Sequence, residues 1–319
     1  MDVRQASRLR PARRAGLRLA SGVQLKYFLR YQQLPAGMGD PRIQVVQRIL
    51  DYVEAGRLAG DVVDRAIAEF LEYRNKRVYL YRAEPSALAR VDLTRYPLRI
   101  RTWSEARIES LPDSPRANYS YIDAEQIRVT FSETHRHPTV DLTAERVGWR
   151  RAGKVIVLDA DRRTGFVTLA LDPPGLIHPH GSRPLDYYAF YAGQAEALLG
   201  TPLVPFPLQG PLLRLEAGNL VRVQQGRGST IDGRIDILAS GPDVRAMPAF
   251  QAVRPSIAVR DSGRYVWLPG HSTQNGAPPP HLLREVPTEI HAGTSMVRFT
   301  RDSLVQEVRY VLGQIQAHA

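Results

Sequence analysis

The hydrophobic period of the chain changes near Arg77, and this change limits the folds that the sequence can adopt. Between residues 41 and 76, apolar residues recur every three or four positions, which is typical of helices that bury one face. From Arg77 onward, apolar and polar residues alternate, which is typical of strands. We therefore expect an α+β fold with an N-terminal helical hairpin, strand-rich central and C-terminal regions, and a C-terminal helix.

Two helices are predicted in the first of these regions. Pro41 suits a first helical turn, and the link from Gly56 to Gly60 is short enough for a helical hairpin. Ile43 and Val53 share the period of the first helix. The residues that we expect to be buried between the helices are Val46, Leu50, Ile67, Phe70 and Leu71.

Short apolar runs bounded by turn residues predict the strands. Lys154–Asp159 and Phe166–Asp172 flank a polar loop that ends in glycine, which indicates a β-hairpin. Further strands are predicted at Leu212–Leu215, Ile257–Arg260 and Tyr265–Leu268, with a tight turn at residues 261–263 between the last two. Helices are predicted at Pro184–Leu199 and Asp302–Gln316.

The composition divides the chain into four segments. Four prolines between Thr201 and Pro211 favour a boundary there. The predicted segments are a basic arm (1–40), a helical hairpin (41–76), a strand-rich domain with a terminal helix (77–204) and a strand-rich domain with a C-terminal helix (205–319).

The absence of cysteine excludes a disulfide scaffold, zinc fingers and a cysteine nucleophile, and it suits a reducing, cytoplasmic compartment. No apolar run reaches the roughly 18 residues of a membrane span, so no membrane association is expected. The sequence also lacks a phosphate loop, a dinucleotide-binding glycine motif and a G-x-S-x-G nucleophile elbow. These absences leave binding functions and metal chemistry as the open classes.

A formal charge of +11 indicates an acidic partner, and much of this charge is clustered. Residues 1–34 contain eight basic residues and one acid, so this arm can lie flexible or helical on phosphates, or remain a solvated tail. Other arginines fall on a predicted strand, at the predicted hairpin tip, and in the glycine-rich basic segment 226–230, which predicts a phosphate-cradling loop. The predicted nucleic-acid contacts are Arg8, Arg10, Arg13, Arg14, Arg99, Arg101, Arg162, Arg163 and Arg227.

Two H-x-H pairs offer a metal site as an alternative. In an extended strand, residues two apart point the same way, so each pair can present two imidazoles to one zinc or manganese ion. Glu133 and Asp141 are the nearby carboxylates. The pairs are His135 with His137 and His178 with His180. Three carboxylates around a predicted strand offer a magnesium site as a further alternative, at Asp232, Asp236 and Asp243.

The clustered arginines favour a non-enzymatic, bacterial subunit or accessory protein that contacts the phosphate backbone of DNA or RNA and needs no cofactor. It can also have other protein subunits as partners. Two alternatives stay open. One is a metal-dependent hydrolase or nuclease built on the H-x-H pairs. The other is a protein-only adaptor whose arginines meet acidic partners in a complex.

Overall fold

The computed structural model describes residues 3–73, 75–92, 116–122, 124–141, 146–173, 184–231, 233–239, 241–257, 259–270 and 282–319. The chain forms two compact units. The first unit is Met1–Glu72 with Tyr81–Val204, and the second unit is Tyr73–Leu80 with Pro205–Ala319. Helices at the N terminus and the C terminus, together with antiparallel strands, confirm the α+β class.

Helices dominate the beginning of the first unit, and antiparallel strands follow. The helices are α1 (Val3–Leu17), α2 (Gly22–Tyr31), α3 (Arg42–Glu54), α4 (Gly60–Tyr73), a single turn α5 (Pro85–Leu88) and α6 (Pro184–Leu199). The strands are β2 (Arg116–Ile122), β3 (Gln126–Asp141), β4 (Arg146–Asp161) and β5 (Phe166–Leu171), paired in that order. β1 (Arg77–Arg82) precedes them in the chain.

The helices α3 and α4 lie where the sequence predicts them, and four of the five predicted core residues, Val46, Leu50, Ile67 and Phe70, are buried. The fifth, Leu71, has its side chain outside the described part of the chain. Ile43 is 66% exposed although it shares the apolar period of α3.

The basic N-terminal segment is packed. Leu17 of α1 and both Leu25 and Leu29 of α2 are fully buried. The ring of Phe28 meets Phe70 edge-on with centroids 5.7 Å apart. The helices α1 and α2 therefore belong to the first unit, and their apolar faces complete the core against α3 and α4.

The predicted hairpin of residues 154–172 is confirmed. β4 and β5 pair antiparallel, with Asp159 opposite Thr168. All six residues of β5 are buried, which explains why five of them are apolar and do not alternate with charged residues. Tyr191 of α6 packs against Phe131 of β3, with ring centroids 5.9 Å apart, so α6 covers part of this sheet.

The second unit contains a sheet whose strand order is β1, β11, β10, β9, β7, β8, all antiparallel. Its further strands are β6 (Val204–Pro205), β7 (Val221–Thr230), β8 (Gly233–Leu238), β9 (Val259–Trp267), β10 (Val286–His291) and β11 (Met296–Phe299). Its helices are α7 (Gln209–Ala217), α8 (Pro248–Val253) and α9 (Val305–Ala317), and 3-10 turns lie at Val244–Ala246, Arg254–Ser256 and Ala292–Thr294.

One face of this sheet is the core of the second unit. Val286, Thr288 and Ile290 alternate along β10 and are all buried. Trp267 donates a hydrogen bond to the Thr288 hydroxyl at 2.9 Å and meets Tyr310 of α9 edge-on. The helix α9 therefore covers this face.

Two local predictions in the second unit are wrong. Leu212–Leu215 is helical, in α7, because Leu212 and Leu215 bury one face of a helix and a four-residue apolar run does not distinguish helix from strand. Residues 261–263 do not turn the chain. They lie inside β9, where Ser262 pairs with His291 and Gly263 with Ile290.

The glycine-rich segment at residues 226–230 is also strand, in β7, and not a loop. A Cβ atom on Gly226 would lie 3.0 Å from Nη1 of Arg260, and one on Gly228 would lie 2.6 Å from Ile257. These glycines are explained by side chains that pack over the strand, not by a phosphate cradle. None of the described helices has both the length and the apolar character needed to cross a membrane.

Candidate nucleic-acid interface

Arg13 is the most buried of the predicted contact residues whose side chains the structure describes in the first unit. Its Nε and Nη2 donate to the two carboxylate oxygens of Asp64, each at 2.8 Å, and the residue is 5% exposed. The hydrogen bonds from Arg13 to Asp64 raise the pKa of the guanidinium and outweigh the opposite effect of burial. Arg13 therefore ties α1 to α4. Arg8 lies on α1, and its side chain is outside the described part of the chain.

Arg10 and Arg14 also have partners within the first unit. Arg10 pairs with Glu54 and lies 3.6 Å from Asp51, both on α3. Arg14 donates to the side-chain oxygen of Gln47 at 2.9 Å. Arg10 and Arg14 therefore join α1 to α3.

The hairpin tip between β4 and β5 carries the next two candidates. Arg162 donates to the carbonyl of Ala89 at 2.7 Å, whereas Arg163 is exposed. Arg99 and Arg101 lie outside the described residues. Among the predicted contacts with described side chains in the first unit, Arg163 is thus the exposed one.

A different group of arginines lies across the sheet of the second unit. The register places Arg77 opposite Arg298, Arg298 opposite Glu289, and Glu289 opposite Arg264. Directly opposed residues of antiparallel strands point to the same face. These side chains therefore form one row across β1, β11, β10 and β9, on the face opposite the buried Thr288 and Ile290.

Neighbouring residues extend this row. Arg227 of β7 is opposite Ser262, which is opposite His291. Arg222 is opposite Val266, and Arg234 of β8 contacts Asp261 at 3.7 Å. We call the resulting surface the arginine face, which consists of Arg77, Arg222, Arg227, Arg234, Arg264 and Arg298.

Four carboxylates partly neutralise the arginine face. Arg227 donates to Asp236 at 2.7 Å and Arg222 donates to Glu285 at 2.6 Å. Hydrogen bonds from Gln225 and then from Arg227 lower the pKa of Asp236, so this carboxylate is charged at neutral pH. The other two acids are Asp261 and Glu289. Among the described residues, six arginines against four acids leave the face positive.

Arg264 is the most available of the six for a ligand. It is exposed, and its guanidinium has no hydrogen-bond or ion-pair partner among the described residues. The residue opposite Arg264 on β10 is Glu289. Its carboxylate contacts Nη1 of Arg298 at 3.4 Å and Nε2 of His291 at 3.3 Å. An arginine fork without a carboxylate partner can take a phosphate without first breaking an ion pair.

His291 lies among these arginines. Burial lowers its pKa, as do the positive charges of Arg227 and Arg77, and together they outweigh the opposite effect of Glu289. The imidazole is therefore neutral at pH 7.

The buried H-x-H residue His135 has a carboxylate partner. His135 and Glu133 lie two apart on β3, both are fully buried, and Nε2 of His135 is 2.6 Å from Glu133. Tyr187 of α6 meets the imidazole edge-on at 5.2 Å. The side chain of His137, and all of His178 and His180, lie outside the described residues. The four-histidine metal site stays a prediction.

Within the described ranges, no cluster of three or more histidine, aspartate or glutamate residues is placed to hold a metal. For the magnesium alternative, Asp232 lies outside these ranges and Asp236 pairs with Arg227. Asp243 accepts hydrogen bonds from Arg245, which lower its pKa although burial opposes them. Both described acids are therefore paired with arginine.

Replacing Tyr191 with phenylalanine is expected to reduce the loss of stability at alkaline pH. Burial and then the charge of Glu133 raise the pKa of Tyr191, and the same causes raise that of Tyr187. The folded chain thus holds these protons more tightly than the unfolded chain does. Their contribution to stability is complete below about pH 10 and is lost as the pH rises above it.

The measurement is the free energy of urea unfolding between about pH 9 and pH 11. The free energy of unfolding should fall less steeply with pH in Tyr191→Phe than in the parent, by up to about 1.4 kcal/mol per pH unit. Phe190→Leu, next to Tyr191 at 5.2 Å, is the control and should leave the slope unchanged. Equal slopes for Tyr191→Phe and the parent would contradict the raised pKa.

Sequence reasoning found Arg227 and missed the other five members of the arginine face. They are spread from residue 77 to residue 298, so only the strand register brings them together. The available signal was alternation, because four of these five arginines, all except Arg234, lie between buried residues, such as Arg298 between Val297 and Phe299. Comparison of the chain with protein-family models and with curated protein sequences finds no match.

Proposed function

We propose that this protein is a non-enzymatic nucleic-acid-binding subunit that contacts the phosphate backbone through the arginine face. The observation that carries the proposal is the row Arg77, Arg298, Glu289, Arg264, in which the Arg264 guanidinium has no partner among the described residues. Arginine forks bind phosphate oxygens in a bidentate manner. A positive sheet face with an exposed arginine is therefore a surface on which a polyphosphate backbone can lie.

The spacing of the row supports this proposal. Adjacent strands lie about 4.8 Å apart, so Arg264 and Arg298, two strands apart, have backbones about 10 Å from each other. A nucleic acid carries phosphates every few ångströms along each strand, so one backbone can meet both residues. Such contacts give affinity and orientation with little sequence preference. In the first unit, the exposed Arg163 is a further candidate contact.

Replacing Arg264 with alanine should weaken binding and make it less sensitive to salt. Each phosphate contact that is lost lowers the slope of log affinity against log salt by about 0.7 for a single strand or 0.9 for a duplex. The probes are fluorescent 20-nucleotide DNA and RNA, single-stranded and duplex, and fluorescence anisotropy at several salt concentrations gives the slope.

Arg309→Ala is the matched control, because Arg309 is an exposed arginine on α9, which covers the opposite face of the sheet. Like Arg264→Ala, this variant removes one positive charge, but it should leave the slope of log affinity against log salt unchanged. Equal effects of both variants would assign binding to net charge and not to the arginine face. No binding of any probe by the parent at low salt would overturn the proposal and favour an acidic protein partner.

A further inference from the structure

The strand β8 forms the edge of the sheet in the second unit. Among the described residues it pairs with β7 alone, from Gln225 opposite Leu238 to Thr230 opposite Gly233. An edge strand presents a row of backbone N–H and C=O groups to any strand that can lie beside it.

Two of the usual features that prevent pairing are absent from this edge. The six residues of β8 contain neither proline nor lysine, which natural proteins place on exposed edges. Two of the large apolar side chains that the structure exposes lie at its ends, Ile231 at 97% and Leu238 at 62%. The edge is therefore open to a partner strand with matching side chains.

The sequence of β8 is complementary to itself. We propose that two copies of this chain associate through their β8 strands, antiparallel about a two-fold axis at Ile235. Arg234 then lies opposite Asp236 of the partner subunit, and Asp236 lies opposite Arg234 of the partner subunit. Ile235 meets its own copy, and Gly233 leaves room for Ile237 of the partner subunit. Opposite charges on directly opposed residues stabilise such a pair of strands.

The two charged side chains can take these additional contacts. The Arg234 side chain is 69% exposed and lies 3.7 Å from Asp261, and the Asp236 side chain is 47% exposed although it pairs with Arg227. A carboxylate accepts several hydrogen bonds, and an arginine fork can reach two acids. The intramolecular pairs therefore leave capacity for the partner subunit.

This arrangement has a consequence for the arginine face. A two-fold axis perpendicular to the sheet keeps the same face of both copies on the same side. Arg227 and Arg234 lie on the arginine face of β7 and β8, so the arginine faces of the two copies become one continuous surface. The dimer itself does not depend on nucleic-acid binding and is tested without it.

The test uses two charge-reversal variants. Each variant alone should not form a dimer, whereas a mixture of the two should. Arg234→Asp puts aspartates opposite each other in a homodimer, and Asp236→Arg does the same with arginines. Mixing the two variants places aspartate opposite arginine at both positions. Sedimentation velocity should give a dimer of the 35.8 kDa chain for the parent, monomers for each variant, and dimers again for the equimolar mixture.

A cross-linking experiment tests the register, because the chain contains no cysteine. Opposed residues of antiparallel strands have Cα atoms about 4.5–5.5 Å apart, which a disulfide can span. Ile235→Cys should therefore form a covalent dimer with oxidised glutathione. The matched control Ile237→Cys lies opposite Gly233 of the partner subunit and should stay monomeric on a non-reducing gel.

Three results would overturn the proposal. They are a monomeric parent at the highest soluble concentration, a mixture of the charge variants that stays monomeric, and equal cross-linking by the two cysteine variants. Circular dichroism of each variant shows whether it is folded. Should Asp236→Arg not fold, because it loses the pair with Arg227, Arg234→Asp and the cysteine variants still decide the question.

Discussion

Replacing Glu216 with alanine is expected to lower the free energy of unfolding by about 3–5 kcal/mol. Glu216 lies on α7 and is 2% exposed. Its carboxylate accepts a hydrogen bond from Nη2 of Arg260 at 2.7 Å and another from the Tyr265 hydroxyl at 2.8 Å. Alanine would leave the Arg260 charge buried without a counter-ion. Breaking a buried ion pair in this way costs far more free energy of unfolding than breaking an exposed ion pair at the surface.

Urea unfolding, followed by circular dichroism, measures the effect. Glu285→Ala is the matched control, because Glu285 also pairs with an arginine of the second unit, Arg222, but its side chain is 50% exposed. Its removal should change the stability by about 0–1 kcal/mol. Similar losses for Glu216→Ala and Glu285→Ala would contradict the importance of burial for the Glu216–Arg260 pair.

The end of α7 is held by another arginine. Arg245 donates to the carbonyls of Glu216, Gly218 and Val221 at 2.6–2.9 Å, while it also pairs with Asp243. Carbonyls at a helix C terminus lack partners within the helix, so this side chain satisfies groups that would otherwise need water. Arg245 and Glu216 thus fix α7 against β7 and β9.

The fold could be predicted from the sequence wherever a local pattern decides it. The helices α3 and α4 follow from the spacing of Val46, Leu50 and Phe70, and the β4–β5 hairpin follows from two apolar runs around a polar loop. The helix α7 was assigned to a strand because Leu212–Leu215 is short. The contacts that hold this helix in place are distant in sequence, because Glu216 binds residues 44 and 49 positions away.

The candidate site is less predictable than the fold because it depends on register. Arg77 and Arg264 lie far apart in sequence, and only the pairing of β1, β11, β10 and β9 places them in one row. The strongest charge cluster in the sequence, residues 1–34, does not form the candidate site. Arg13 and Arg10 of that cluster pair with Asp64 and Glu54, so clustering alone did not indicate a free surface.

Replacing Phe70 with alanine should also cost about 3–5 kcal/mol, because the ring is buried and truncation leaves a cavity. Phe70 is 2% exposed and meets Phe28 of α2 edge-on at 5.7 Å. Gln24 of α2 donates to its backbone carbonyl at 3.2 Å, so α2 holds α4 at this point. The loss therefore tests whether the basic N-terminal helices belong to the core.

The control for Phe70→Ala is Ile43→Ala, another large apolar residue of the same helical region that is 66% exposed. Its removal should change the free energy of unfolding by less than about 0.5 kcal/mol. Deleting residues 3–17 should destabilise the first unit as well, since α1 contributes the buried Leu17 and the Arg13–Asp64 pair. If Phe70→Ala and the deletion both left the stability unchanged, the N-terminal segment would be an arm free of the core, and its arginines would again be available to phosphates.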